Sequence, residues 1–327
     1  MSNDLNLSGD NSLQEKPSLP SYSFLVGRLR MRQIALLTAL DEQGSLHKAA
    51  DVMAMTQPAA TKALHELETS FGITLFNRSS KGMEATELGR CVIRYARLIQ
   101  ADIGNLREEL LDMMNGKGGR LSVGTVMGAV PLVLTRAIAR IRELQPDLSI
   151  EIVEETSTQL LQHLDEGRID VAIGRATVSA QPNLYDYTAL REEPLCVVAG
   201  AEHPLAKEPK ITFQELAQQS WIVYTANAPL RVLVEYEFKQ AGFKIPPNII
   251  ETASTLSVTT LLQQSNMVAV MPLDIAHFFA AKKILCILPA NIRSKLEPYG
   301  IVTRKNMTLP SAAKIFVDIL LQQNQVL

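Results

Sequence analysis

Between about Glu87 and Asn115 the apolar residues Leu88, Val92, Tyr95, Ile99, Ile103, Leu106, Leu110 and Met113 follow one another at spacings of three or four. That rhythm keeps them on one stripe of a single long helix, as in a coiled-coil seam. The outward face carries Arg94, Arg97, Asp102, Arg107 and Glu108, so the stripe is expected to close against a second helix. Gly116-Lys117-Gly118-Gly119 then breaks the helix and reads as a flexible boundary. The 327-residue chain is therefore read as two folded parts joined by a dimerisation helix. Val92, Tyr95, Ile99, Ile103, Leu106 and Leu110 are the expected dimer contacts.

Ahead of that helix, residues 1–27 are polar and aperiodic and are expected to form a disordered tail. From Arg28 onward the pattern is helical. Met31, Ile34, Leu37 and Leu40 mark one buried face, and Gly44 ends the helix. Ser45 is placed to cap a short helix from Leu46 to Met53, and Thr56 to cap a third that tolerates Pro58 in its first turn. This third helix runs to about Ser70 and buries Ala60, Ala63, Leu64 and Leu67. The polar turn Asn77-Arg78-Ser79-Ser80-Lys81-Gly82 suits a two-stranded wing.

Helix, short turn and helix over 45–70 fit a helix-turn-helix, whose second helix enters the major groove. Thr56, Gln57, Thr61, Lys62 and His65 lie on its early outward side. Gln pairs with adenine through two hydrogen bonds, Thr and Lys reach base edges or phosphates, and small Ala59 and Ala60 let the backbone approach closely. Residues 28–98 hold ten Lys or Arg against seven Asp or Glu, a basic head within a chain of net charge −2. Periodicity alone leaves two packed helices with polar outer faces as an equal alternative.

After the glycines, strand-like and helical stretches alternate: Leu121–Val126, Pro131–Leu144, Ser149–Val153, Gln159–Leu164, Asp170–Ile173, and a similar series from Leu195. This predicts α/β folding with mainly parallel sheets, in two subdomains around a cleft. Ligands in such folds bind at the carboxyl ends of strands, near helix N-termini. Thr125, Met127 and Gly128 follow the first strand, Ser254 and Thr255 open a helix, and Pro272 follows a strand. Free helix N-termini and several hydroxyls would favour a small anion, although either threonine alone could merely cap its helix.

The ordered string Gly44-Ser45, Ala49-Ala50, Thr56-Gln57-Pro58-Ala59, Leu67-Glu68, Phe71-Gly72, Leu75-Phe76-Asn77-Arg78 and Thr86-Glu87-Leu88-Gly89 resembles the LysR-type transcriptional regulators. The start Leu29-Arg30-Met31-Arg32 resembles, within them, regulators of sugar or aromatic-acid metabolism. The resemblance covers nearly the whole chain from Arg28. It implies a winged helix-turn-helix over 28–86 and a linker helix and hinge over 87–118. A two-lobed, periplasmic-binding-protein-like effector domain would follow over 119–327, with lobe I at 119–194 and 298–327 and lobe II at 195–297. Chain crossings between lobes are expected near Glu193-Pro194 and Glu297-Pro298. The resemblance also adds Tyr224 and Thr225 to the expected ligand contacts.

Carried over residue by residue, Thr56, Gln57, Pro58, Ala59, Thr61 and Lys62 match the DNA-reading helix start, and Arg78, Lys81 and Thr86 match the wing. Arg30, Arg32, Ser45 and His65 complete the expected DNA-facing set, His65 standing where the family commonly has Arg. Leu46, His47 and Ala85 also depart from the usual pattern. The implied partners are double-stranded DNA at a partly palindromic site, a small-molecule effector, a second or further copies of the chain, and RNA polymerase, with no membrane and no cofactor.

Motifs for other chemistry are missing from the sequence. There is no GxSxG elbow, GxxxxGK[ST] loop, GxGxxG fingerprint or HExxH pair, and no metal-ligand spacing. Asp165-Glu166 and Glu192-Glu193 read as solvated turns. Cys91, Cys196 and Cys286 are scattered, as in a reducing compartment. With no signal peptide visible, a cytoplasmic regulator is expected; a cofactor-dependent enzyme and a two-lobed solute-binding protein are the alternatives.

Overall fold

The computed structural model describes residues 19–79, 82–114, 119–226, 228–305 and 307–324. Expectations for residues 1–18, Lys81, the 115–118 boundary and the Met113 side chain fall outside them. The chain divides into two compact units, Met1–Ile103 and Gly104–Leu327. The division falls inside the long helix, whereas the sequence reading set its boundaries at 86/87 and 118/119.

In the first unit, helix α1 (Tyr22–Arg28) occupies part of the expected tail, its N-terminus capped by Ser21, which accepts from Phe24 N. It buries none of its residues, so no apolar rhythm announced it. Helix α2 (Met31–Gln43) buries Ile34, Leu37 and Leu40 but leaves Met31 exposed, and it ends at Gly44 with φ +59°. Helix α3 (Leu46–Val52) follows, then α4 (Gln57–Phe71), capped by Thr56 and ended by Gly72 at φ +68°. Strands β1 (Phe76–Ser79) and β2 (Gly82–Ala85) form the expected antiparallel wing.

Two polar ties fix that wing. The Glu68 carboxylate accepts from Leu75 N at 2.7 Å and Phe76 N at 3.3 Å, joining α4 to β1. Met83 N donates to Gly44 O at 2.9 Å, and a Cβ on Gly82 would run into that same carbonyl. Helix α5 (Glu87–Met114) starts from Thr86, whose hydroxyl accepts from Gly89 N. Ile93, Ala96 and, in part, Val92 join the core of the first unit.

In the second unit, lobe I is a five-stranded sheet in the order β4–β3–β5–β12–β6. Its strands are β3 (Arg120–Thr125), β4 (Ser149–Glu154), β5 (Val171–Gly174), β6 (Tyr185–Glu193) and β12 (Leu296–Arg304). Helices α6 (Thr135–Leu144), α7 (Ser157–Asp165) and α12 (Ser311–Asn324) complete it, Phe316, Ile319 and Leu320 of α12 lying in the lobe I core. The expected helix from Pro131 begins instead as a 3₁₀ turn at Met127–Ala129 and a π turn at Val130–Leu134.

Lobe II has the order β11–β7–β10–β8–β9. Its strands are β7 (Leu195–Gly200), β8 (Ser220–Val223), β9 (Ile250–Glu251), β10 (Met267–Pro272) and β11 (Leu285–Ile287), with helices α8 (Phe213–Ala217), α9 (Pro229–Gln240), α10 (Thr255–Gln263) and α11 (Leu273–Ala280). Side chains alternate across a strand. Val197, Ala199, Val268 and Val270 accordingly feed one core layer, and Cys196, Val198, Ala269 and Met271 the other.

Each sheet is mixed, with two parallel and two antiparallel pairings, against the expectation of mainly parallel sheets. Alternation along the chain reveals element order only; β12 returns from the other lobe and lies antiparallel to both β5 and β6. The first crossing falls at Pro194, between β6 and β7, as expected. The second lies within 288–295, because Leu296 already pairs with Glu193 in lobe I. Lobe I thus resumes two residues earlier than the expected 298.

Candidate functional site

Two places gather the chemistry. The first is the start of α4. Ala60, Leu64 and Leu67 face the core, which turns Gln57, Pro58, Ala59, Thr61, Lys62 and His65 to the exposed side. Thr56 is held at the N-cap, its hydroxyl oxygen accepting from Ala59 N at 3.4 Å. Thr61 donates its hydroxyl to Gln57 O at 3.0 Å, so only its lone pairs and methyl face outward. Gln33 of α2 donates to Glu66 on the flank of α4, steadying the helix pair. Arg30, Arg32 and Arg78 are exposed, and Ser45 is half-buried. The Thr86 hydroxyl is already committed, donating to Thr74 O and accepting from Gly89 N, both at 2.9 Å. Its hydroxyl serves first as a helix cap.

Along α5, Tyr95, Ile99, Ile103, Leu106 and Leu110 are all exposed, Tyr95 and Leu110 by about half. Val92 differs, being half-buried against the first unit's core, so it is not purely a seam residue.

The second place is a cleft of 240 Å³ between lobes I and II. Its walls are the carboxyl ends of strands: Val126–Gly128 after β3, Glu154–Ser157 at and after β4, Arg175 after β5, Tyr224 and Thr225 after β8, Ala253 after β9 and Pro272 at the end of β10. Helices α7 and α9 point their N-termini at it through Ser157 and Pro229. Met127, Gly128, Tyr224, Thr225 and Pro272 thus lie where the sequence reading put them. Thr125 does not: it is wholly buried, and its hydroxyl donates to Val126 O at 3.1 Å. Ser254 is also outside the lining, accepting from Ser257 N as the α10 cap. Thr255 reaches the cleft indirectly, its hydroxyl 2.7 Å from the Met127 sulfur across the lobes.

Sequence reasoning missed the floor of the cleft. Arg175 and Glu193 form a buried ion pair beneath Gly128, where any Cβ would strike the Glu193 carboxylate. Arg175 Nε also donates to Glu297 O at 2.6 Å, and its backbone N to Ser157 Oγ at 3.1 Å. Burial raises the Glu193 pKa above the ordinary carboxylate value, against the pull of Arg175. Glu193 is therefore not the solvated-turn residue expected. Burial likewise pushes the Tyr224 phenol upward. Applied to every strand, the carboxyl-end rule would have found the Glu154–Ser157 loop and Arg175.

The lining of the cleft is rich in carboxylates. Three carboxylates, Glu154, Glu155 and Glu193, face one guanidinium, and that one is already paired. Arg191 of β6 and Asp274 of α11 form a second inter-lobe tie, at 3.1 Å.

Comparison with known proteins identifies both parts. Residues 31–90 match the bacterial regulatory helix-turn-helix protein, lysR family, and residues 114–325 match the LysR substrate binding domain. The HTH-type transcriptional regulator GbpR of Azospirillum brasilense is 35% identical over 296 residues, covering 90% of this chain and 86% of that protein. GbpR of Rhizobium radiobacter is 31% identical over 255 residues, covering 77% and 84%. Full-length CbnR, solved in complex with its target DNA, shares the fold with a TM-score of 0.56 at 19% identity, covering 90% of this chain and 99% of that one. These relatives are transcriptional regulators rather than enzymes, and among the described residues no helix is long and apolar enough to cross a membrane. A helix-turn-helix head matched over 31–90, followed by a two-lobed effector-binding domain matched over 114–325, places the chain in the LysR family of DNA-binding transcriptional regulators.

Proposed function

We propose that this regulator acts in the cytoplasm as a homodimer or homotetramer on a partly palindromic promoter site and signals to RNA polymerase according to the small molecule held between its lobes. The observation that carries this reading is the division of α4, which buries Ala60, Leu64 and Leu67 while Gln57, Thr61, Lys62 and His65 are exposed at its start. Arg30, Arg32, Arg78 and Lys81 would contact phosphate or the minor groove, fixing the register in which Gln57 reads a base. The exposed stripe of α5 supports pairing of two chains, which would set two heads one helical turn or a multiple apart.

Effector binding would favour one arrangement of the lobes, and thereby one spacing of the heads. Met127, Gly128, Tyr224, Thr225 and Pro272 are the proposed contacts, with Thr255 acting through Met127. Gel shifts on the chain's own promoter region test the reading. Gln57→Ala should weaken specific binding by about 1–3 kcal/mol and blur preference at one base pair. An unchanged affinity and unchanged preference would remove Gln57 from the reading face.

A further inference from the structure

The cleft's charges bear on what kind of molecule it takes. Resting on the reading of that cleft as the effector site, we propose that the ligand is a neutral polyhydroxylated molecule and that a carboxylate is rejected.

Glu154 ends β4 and Glu155 follows it, both at one wall of the cleft. A ligand carboxylate would meet them without a free counter-charge, since the only cation among the described lining residues is Arg175. Its guanidinium is held by Glu193 and by the Glu297 carbonyl. Like charges brought together in a partly desolvated site repel strongly. An ammonium group is drawn to those carboxylates but, having donors alone, gives the Tyr224 and Ser157 hydroxyls no acceptor. The N-termini of α7 and α9 present positive dipole ends to the same space.

Hydrogen-bonding capacity points the same way. The Tyr224 hydroxyl donates only to the Met127 sulfur, at 3.9 Å, a weak acceptor, and the Thr255 hydroxyl faces that same sulfur. Ser157 Oγ accepts from Arg175 N, which leaves its own proton to give. The cleft therefore offers hydroxyl donors beside carboxylate acceptors. A molecule carrying several hydroxyl groups satisfies both, accepting from Tyr224 and Ser157 while donating to Glu154 and Glu155. Its C–H faces would lie on Met127 and Leu230. Tyr224 is the sole aromatic side chain of the described lining, so a flat aromatic ring finds little to stack on. At 240 Å³ the space falls below the roughly 300–1,000 Å³ common for ligand pockets, which suits a small metabolite.

Calorimetry and thermal shift on the full-length protein test this with matched sets: neutral pentoses, hexoses and inositol, the corresponding sugar acids such as glucuronate, and the amino sugars such as glucosamine. A neutral member should bind, with its acid counterpart at least tenfold weaker. Glu154→Gln with Glu155→Gln should narrow that discrimination by about tenfold in favour of the acid. An acid or an amino sugar that binds more tightly than its neutral partner overturns the ligand class, as does discrimination unchanged in the Gln variant. A shift produced only by a pool of non-sugar carboxylates also overturns the class while upholding the cleft as effector site. No shift from any neutral, acidic or basic metabolite pool overturns the effector-site reading itself.

Discussion

Replacing Arg175 by Met should destabilise the effector domain by an amount that depends on pH, and the reason lies in its partner. Arg175 and Glu193 are 8% and 6% exposed. Removing one member of a buried pair leaves the other uncompensated, at about 3–5 kcal/mol. Glu193 has an outlet that a guanidinium lacks: it can take up a proton. Burial already raises its pKa, and Arg175 is the chief force lowering it. Without Arg175 the rise is unopposed. A carboxyl whose pKa is raised on folding holds its proton more tightly in the folded state. Stability is then greatest below the unfolded pKa and is lost as pH rises through the folded one. The Arg175→Met deficit should therefore be small in mild acid and grow by no more than about 1.4 kcal/mol per pH unit, the limit for one proton. It should level off near the full penalty once Glu193 ionises.

Glu193→Gln is the contrasting case, because the stranded guanidinium stays charged and the variant's own stability carries no Glu193 titration. The double variant Arg175→Met/Glu193→Met removes both charges and should recover most of the loss. Trp221, the chain's single tryptophan, is buried in lobe II and reports unfolding in urea by its fluorescence. An Arg175→Met deficit constant between about pH 5 and 9, or below about 1 kcal/mol throughout, would refute the reasoning.

Other consequences are simpler to state. A Cβ at Gly89 would collide with the Leu75 backbone, whose carbonyl carbon lies 2.9 Å away, and backbone cannot swing aside. Gly89→Ala should therefore cost about 1–3 kcal/mol and lower the melting point of the head; an unaltered melt would show that α5 shifts freely. Ile99→Glu with Ile103→Glu should convert the oligomer to monomers in sedimentation, and an intact dimer would mean that the α5 stripe is not the seam. Burial pushes the Cys196 thiol up to about 12, whereas Cys91 is exposed on α5. In native protein near neutral pH, mass spectrometry after brief alkylation should find Cys91 modified and Cys196 intact; rapid labelling of Cys196 would contradict its burial.

The head was legible because its determinants are local. Helix ends at Gly44 and Gly72 need positive φ, the Thr56 cap serves an N–H three residues on, and the wing is a hairpin of adjacent strands. The second unit was legible element by element but not in its returns. The pairing of β12 with β5 and β6 joins segments more than a hundred residues apart, and no period in the sequence reports it. The misplacement of Thr125 has the same origin. A hydroxyl at a strand end reads as exposed, yet β3 lies between β4 and β5, so its last residue stays covered on both sides. Glu193 misled in the opposite sense, and Arg175 went unread. Charged residues read as surface, and only the approach of two strands shows that each neutralises the other.

That ion pair also joins two features that the sequence kept separate, the ligand cleft and the chain crossings. Glu193 is the last residue of β6, immediately before the crossing at Pro194. Glu297, whose carbonyl accepts from Arg175 Nε, sits just after the second crossing, one residue into β12. Thr177 secures the Glu297 carboxylate from the same loop that carries Arg175. One guanidinium is thus anchored to both segments that connect the lobes, while its carboxylate partner lines the floor of the cleft. Charge placed in the cleft acts on Glu193, and through Arg175 on the two connections about which the lobes can move. The pH dependence set out for Arg175→Met is accordingly a measurement on the hinge as well as on the pocket. A ligand that engages Glu193 should blunt that dependence in the Arg175→Met variant, because it holds the carboxylate in one protonation state.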